Sequence, residues 1–179
     1  MLNTGVAGVI HHSCNNVLHS AFRLNLAPRR GTSVTELHLV VGVAVLALNV
    51  VVGVWGVAAA ALGRTPVSFW YVLRAAQISV VVQVLLGAIL LIAGHEPKDA
   101  IHYMYGSAPL LVNLIAEGMR TGAAEREIPE GVEFSGLPAG DQRAIALRIV
   151  RREMLIMSFA ALLVAAFALR AAQVSGAMF

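Results

Sequence analysis

LHLVVGVAVLALNVVVGVWGVAAAALG, residues 37–63, runs without a single charged side chain. As an α-helix at about 1.5 Å per residue it would be about 40 Å long, more than the roughly 30 Å of a bilayer's hydrocarbon core. The stretch therefore predicts a transmembrane helix. Its few non-aliphatic residues are not scattered. His38, Gly42, Asn49, Gly53 and Gly56 fall within about a 60° arc at 100° per residue, so the helix has one polar, small-residue stripe.

The rest of the chain agrees with that opening. Of 179 residues, 58% are hydrophobic and 13% charged, where a soluble domain carries about 25% charged residues. The length suits one bundle rather than two domains. A single cysteine, Cys14, excludes an internal disulfide and any CxxC metal site. The net charge of +3 is small, and a mostly lipid-facing chain has no room for a nucleic-acid face.

Residues 1–35 form a tail with no acidic side chain before Glu36. It contains His11, His12, Cys14 and His19, without metal-ligand spacing, and Arg23, Arg29 and Arg30. It reads as disordered, or as lying outside the mature core; an acid-poor, Arg-bearing leader also fits a transit peptide. Residues 36–179 form the membrane domain. Its expected helices are 37–63, 67–93, 100–119 and 154–172. Gly63-Arg64-Thr65-Pro66 ends the first, and a polar turn containing His95, Glu96, Pro97 and Lys98 ends the second. The second helix carries Trp70 and Tyr71 where an aromatic belt would lie. Residues 120–142 read as a polar cytoplasmic loop, and 143–153 as an amphipathic interfacial segment opened by Asp141.

Four spans place both termini on one side. That side holds Arg23, Arg29, Arg30, Lys98 and Arg170; the other holds Arg64, Arg74, Arg120, Arg126, Arg143, Arg148, Arg151 and Arg152. The positive-inside rule then puts 120–153 in the cytoplasm and both termini outside, in a bacterial inner membrane.

The first and third helices share a pattern, HxxxGxxxxxxN: His38, Gly42 and Asn49 in one, His102, Gly106 and Asn113 in the other. It predicts two pseudo-repeated helical hairpins about an axis along the membrane normal. Both histidines then lie at one leaflet, and both asparagines near mid-membrane, placed to bond each other.

Two histidines on facing helices of a bundle are the arrangement that holds a b-type haem iron from both sides. His38 and His102 are the candidate axial ligands, Gly42 and Gly106 would leave room for the macrocycle, and His95 is a further ligand or propionate contact. Lys98 and Arg170 are cations on that side. The second constellation is Arg74 with Glu117, charges inside predicted spans that need each other, with Gln77 nearby. Pro109 frees a backbone carbonyl within helix three.

HExxH, P-loop, GxSxG and dinucleotide-binding patterns are absent, so a non-enzymatic protein is expected. The specific expectation is a haem b electron-transfer or redox-accessory membrane protein. The competing classes are a cofactor-free structural or assembly subunit and a small-solute transporter built on Arg74 and Glu117. Expected partners are the bilayer, other membrane subunits or further copies of the chain, with no nucleic acid.

Overall fold

The computed structural model describes residues 33–97, 99–127 and 133–175. The expectations for the tail before residue 33, its histidines and Cys14, and for Lys98, lie outside the described residues. Within them the chain is helical, without strands. The elements are α1 (Val34–Ala61), α2 (Val67–Ile92), α3 (Ile101–Glu127), a short 3₁₀ turn (Phe134–Gly136) and α4 (Ala139–Val174).

The ends of α1 and α2 follow from two glycines. Gly63 (φ 67°) and Gly94 (φ 80°) adopt the left-handed conformation that a side chain resists. At the first, Arg64 N donates to Ala59 O and Gly63 N to Ala60 O; at the second, His95 N donates to Leu90 O and Gly94 N to Leu91 O. Both are Schellman closures, which satisfy carbonyls that would otherwise end unpaired in an apolar medium.

The helices run up and down. α4 packs broadly on α1 and α3, α1 on α2, and α2 only lightly on α3. The larger core holds Val52, Phe69, Leu73, Met154 and Met157. A smaller cluster, Val45, Val80 and Val164, leads toward the histidine end. Glycine lets α1 and α4 approach. A Cβ on Gly53 would stand 2.5 Å from Leu162 Cγ, and one on Gly56 would overlap Ser158 Oγ and the Phe69 ring. The buried polar groups of this seam bond within their own helices: Asn49 Nδ2 donates to Val45 O (2.8 Å) and Ser158 Oγ to Met154 O (2.6 Å).

The outward surface is apolar. Val40, Val43, Val54, Ile78, Leu85 and Ile92 are all exposed. Apolar residues both inside and outside a bundle are what lipid, not water, accommodates. α1, α2 and α4 are each long and apolar enough to cross a membrane. α3 is not among them, because His102, Ser107, Asn113, Glu117 and Arg120 dilute its apolar residues.

Two boundaries differ from expectation. α3 continues to Glu127 instead of ending at 119, and α4 begins at Ala139, so residues 143–153 are its early turns rather than a separate segment. Residues 120–127, read as loop, and 139–153 are instead an antiparallel charged helix pair. Glu127 accepts from Arg152 (2.9 Å) and Arg148 (3.4 Å), and Arg120 lies 3.8 Å from Glu153. Pro138, not Asp141, takes the N-cap position of α4, and Asp141 sits in its first turn, where a negative charge complements the helix dipole.

Candidate functional site

The site is built at the bundle end opposite the Arg74–Glu117 charges. His38 enters from the first turns of α1 and His102 from the first turn of α3, and their ring centroids lie 6.4 Å apart with ring planes at 60°. α2 and α4 supply what surrounds them.

α2 seats His38. Gln83 Nε2 lies 3.2 Å from His38 Nε2. One turn further, Gly87 leaves space under the ring, since a Cβ there would stand 3.3 Å from His38 Cε1. The fit is reciprocal: a Cβ on Gly42, one turn along from His38, would stand 3.0 Å from Gln83 Nε2. Each helix thus offers a glycine to the other's polar side chain. Among the described residues, two buried side-chain polar atoms have no partner, His38 Nδ1 and Gln83 Oε1. Both belong to this one contact.

α4 orients His102. Its Nδ1 lies 3.2 Å from Ala171 O. A carbonyl only accepts, so Nδ1 carries the proton and Nε2 keeps its lone pair. One residue before Ala171, Arg170 stands over the Tyr105 ring at 6.0 Å, and its Nη1 donates to Gln173 Oε1 (3.3 Å).

The remaining residues of the expected site fall as follows. Gly106 faces open space, with nothing within 4 Å of a Cβ there, whereas the space at Gly42 is taken by Gln83. Gly42 thus does not leave the space expected of it, because Gln83 fills it. His95 is exposed in the turn after α2 and joins neither ring. Asn49 is spent on Val45 O and does not bond Asn113, which is buried in α3. Gly42 and Gly106 therefore have unlike surroundings, and Gly53 packs on Leu162 where the matching position on α3 is the ion-paired Glu117. The repeat read from HxxxGxxxxxxN is not carried by the packing.

At the opposite end, Glu117 is saturated. Its Oε1 accepts from Arg74 Nη1 (2.6 Å) and Gln77 Nε2 (2.8 Å), and its Oε2 from Arg120 Nη2 (2.9 Å). Arg120 also lies over Trp70 at 5.7 Å. One carboxylate with three donors from α2 and α3 is a lock between those helices, and it is what joins their otherwise light contact.

Sequence reasoning missed Gln83 and Gly87. A signal existed: Gln83 is the lone amide in the apolar run VVVQVLLG, and an amide in a membrane span needs a partner. Its partner depends on the register of α1 against α2, which the sequence does not print. No family model, curated protein or solved structure matches the chain.

Proposed function

We propose that this is a four-span integral membrane protein whose His38 and His102 hold a b-type haem, serving electron transfer or a redox-accessory role rather than catalysis. The observation that carries the reading is the 6.4 Å separation of two imidazoles from different helices beside a buried, unpartnered His38 Nδ1. Two imidazoles brought this close by different helices are the residues that would hold a b-type haem iron.

The donor set also favours haem over a bare ion. Two imidazoles are too few for a structural zinc site but are the number that a porphyrin iron takes from protein. Haem b supplies one-electron exchange when bound. The chain's own residues bind and orient. Ala171 O fixes the His102 ring, Gly106 presents no side chain on the α3 side, and Arg170, over the Tyr105 ring, would be the cation for the carboxylates of a bound haem.

In this reading α3 is the fourth span: His102 and Asn113 turn to the bundle, Ser107 bonds Tyr103 O of its own helix, and Glu117 and Arg120 lie at the charged end. The Arg120–Arg152 region lies in the cytoplasm of a bacterial inner membrane, with both termini outside. Glu117, held by three donors, is a helix lock and not a transport residue. The test is haem content. Protein purified in detergent from haem-replete cells should carry about one haem per chain by haemochrome assay. His38→Ala and His102→Ala should each lose it while remaining in the membrane fraction. A folded protein without haem overturns the reading in favour of a cofactor-free assembly subunit.

A further inference from the structure

We infer that Arg64 and Arg151 together bind the phosphate of an anionic lipid in the leaflet at the arginine-rich end of the bundle. The inference rests on the membrane reading of the fold and is independent of haem.

The arginines at this end are of two kinds. Arg74, Arg120, Arg148 and Arg152 are paired, with Glu117, Glu153 and Glu127. Arg64, Arg126, Arg143 and Arg151 are exposed and, among the described residues, in no ion pair. Two of these four have acids beside them in the chain. Glu125 and Glu127 flank Arg126, and Asp141 lies two residues before Arg143. Arg64 has none, since no acidic residue occurs between Glu36 and Glu96. Arg151 is also left uncompensated. Glu127 is taken by Arg148 and Arg152, and Glu153, which faces Arg120, stands about 160° around α4 from Arg151.

The register of α1 on α4 brings the two uncompensated cations to one place. Gly53 packs on Leu162 and Gly56 on Ser158, so the α4 partner falls as the α1 number rises and the helices are antiparallel. Two turns on from Gly56 is Gly63, and two turns back from Ser158 is Arg151. Arg151 therefore continues the line of the seam, level with the Gly63-Arg64 turn at which α1 has ended. This level is also the edge of the apolar surface. Leu62 and Val67, on either side of the turn, are exposed and offer acyl chains a wall. Lipid phosphates lie just outside the hydrocarbon, at the depth of these two guanidiniums. Each guanidinium presents N–H donors in the fork that phosphate oxygens accept, and neither has to leave a carboxylate to do so. Two cations without a nearby acid select a lipid of net negative charge over a zwitterionic one.

The chain carries its own reporters, because its two tryptophans, Trp55 and Trp70, both pack on Phe69 at this end. The full chain is reconstituted in phosphatidylcholine bilayers at low salt. Brominated phosphatidylglycerol or brominated phosphatidylcholine is titrated in, and tryptophan quenching is read against the same lipid without bromine. The expected result is an association of phosphatidylglycerol about fivefold or more stronger than that of phosphatidylcholine. That preference should fall toward one in Arg64→Gln and in Arg151→Gln. It should persist in Arg126→Gln and Arg143→Gln, which remove the same charge from exposed positions beside acids. Equal quenching by the two lipids in the wild type overturns the inference. So does a preference that falls as far in Arg126→Gln or Arg143→Gln, since it would report net charge and not a site. Loss of the preference on adding inorganic phosphate at matched ionic strength would assign the pair to a free anion and overturn the lipid assignment. Quenching by neither lipid would remove the membrane reading itself, and this inference with it.

Discussion

His38 and His102 face each other at 6.4 Å across the bundle, each ring steadied by a helix other than its own: α2 through Gln83 and α4 through Ala171 O. All four helices therefore contribute to one pair of side chains. A disturbance on α2 or α4 should be read at the histidines even though neither helix donates one. Gly87→Val is the sharpest such disturbance. Branched carbons would enter the space of the His38 ring, already within 3.3 Å of a single Cβ. The expected outcome is loss or weakening of haem binding with a destabilisation of about 1–3 kcal/mol, measured by haem retention and thermal unfolding in detergent.

The α1–α4 seam predicts a second effect, independent of any cofactor. Gly56→Leu drives a side chain into Ser158 and Phe69. Overpacking of this kind costs about 1–3 kcal/mol, and more if the helices cannot part. Gly106→Leu, by contrast, meets open space and should leave the stability of the haem-free protein nearly unchanged while crowding the side on which haem is proposed to sit. Comparing the two variants by unfolding temperature and haem content separates helix packing from site access.

Glu117 and its three donors predict an unequal pair of single mutants. Arg74→Ala leaves the carboxylate with Gln77 and Arg120, and Arg74 is half exposed, so the loss should be about 1 kcal/mol or less. Glu117→Ala takes the carboxylate from Arg74 and Arg120 at once, leaving them Gln77 Oε1 and the more distant Glu153, and should cost more. The exchanged double mutant, Arg74→Glu with Glu117→Arg, should not restore stability, because the new arginine lies beside Arg120. Chemical or thermal unfolding of the four proteins checks the order.

The charged extension of α3 and α4 predicts acid sensitivity. The Arg152 guanidinium, helped by Arg148, holds the Glu127 carboxyl below its ordinary value of 4.5. A carboxyl depressed in the folded state stabilises it above its unfolded value, and that stabilisation is lost as pH falls through the lower, folded value. The extension should hold steady above about pH 5 and loosen as pH drops below 4.5. Hydrogen exchange along residues 120–127 and 139–153 reads this, and Glu127→Gln should flatten the acid dependence. High salt should weaken the same contacts.

Much of the architecture is visible in the sequence because lipid imposes a simple pattern. Residues 37–63 and 67–93 are apolar and bounded by glycine turns, and α1 and α2 lie within a few residues of them. The histidine end is legible for a related reason: equal depth on two helices that run the same way brings His38 and His102 to one level. The α3–α4 extension is not legible. Arg120 to Glu127 looks like solvated loop locally and 143–153 like a separate interfacial segment, and pairing over 25 residues, Glu127 with Arg152, joins them as one helix pair. The asparagines mislead in the opposite direction. A buried amide needs an acceptor, but Asn49 finds one four residues back in its own helix, which no cross-helix reasoning would anticipate. Gln83 is missed because its importance lies in what it touches.

The most direct measurement is the reduced-minus-oxidised visible difference spectrum of the purified full chain, taken beside His38→Ala and His102→Ala. The account predicts a Soret shift and a sharp α band in the wild type, both absent from each variant. A wild-type protein with no such bands, or bands that survive both substitutions, would contradict it.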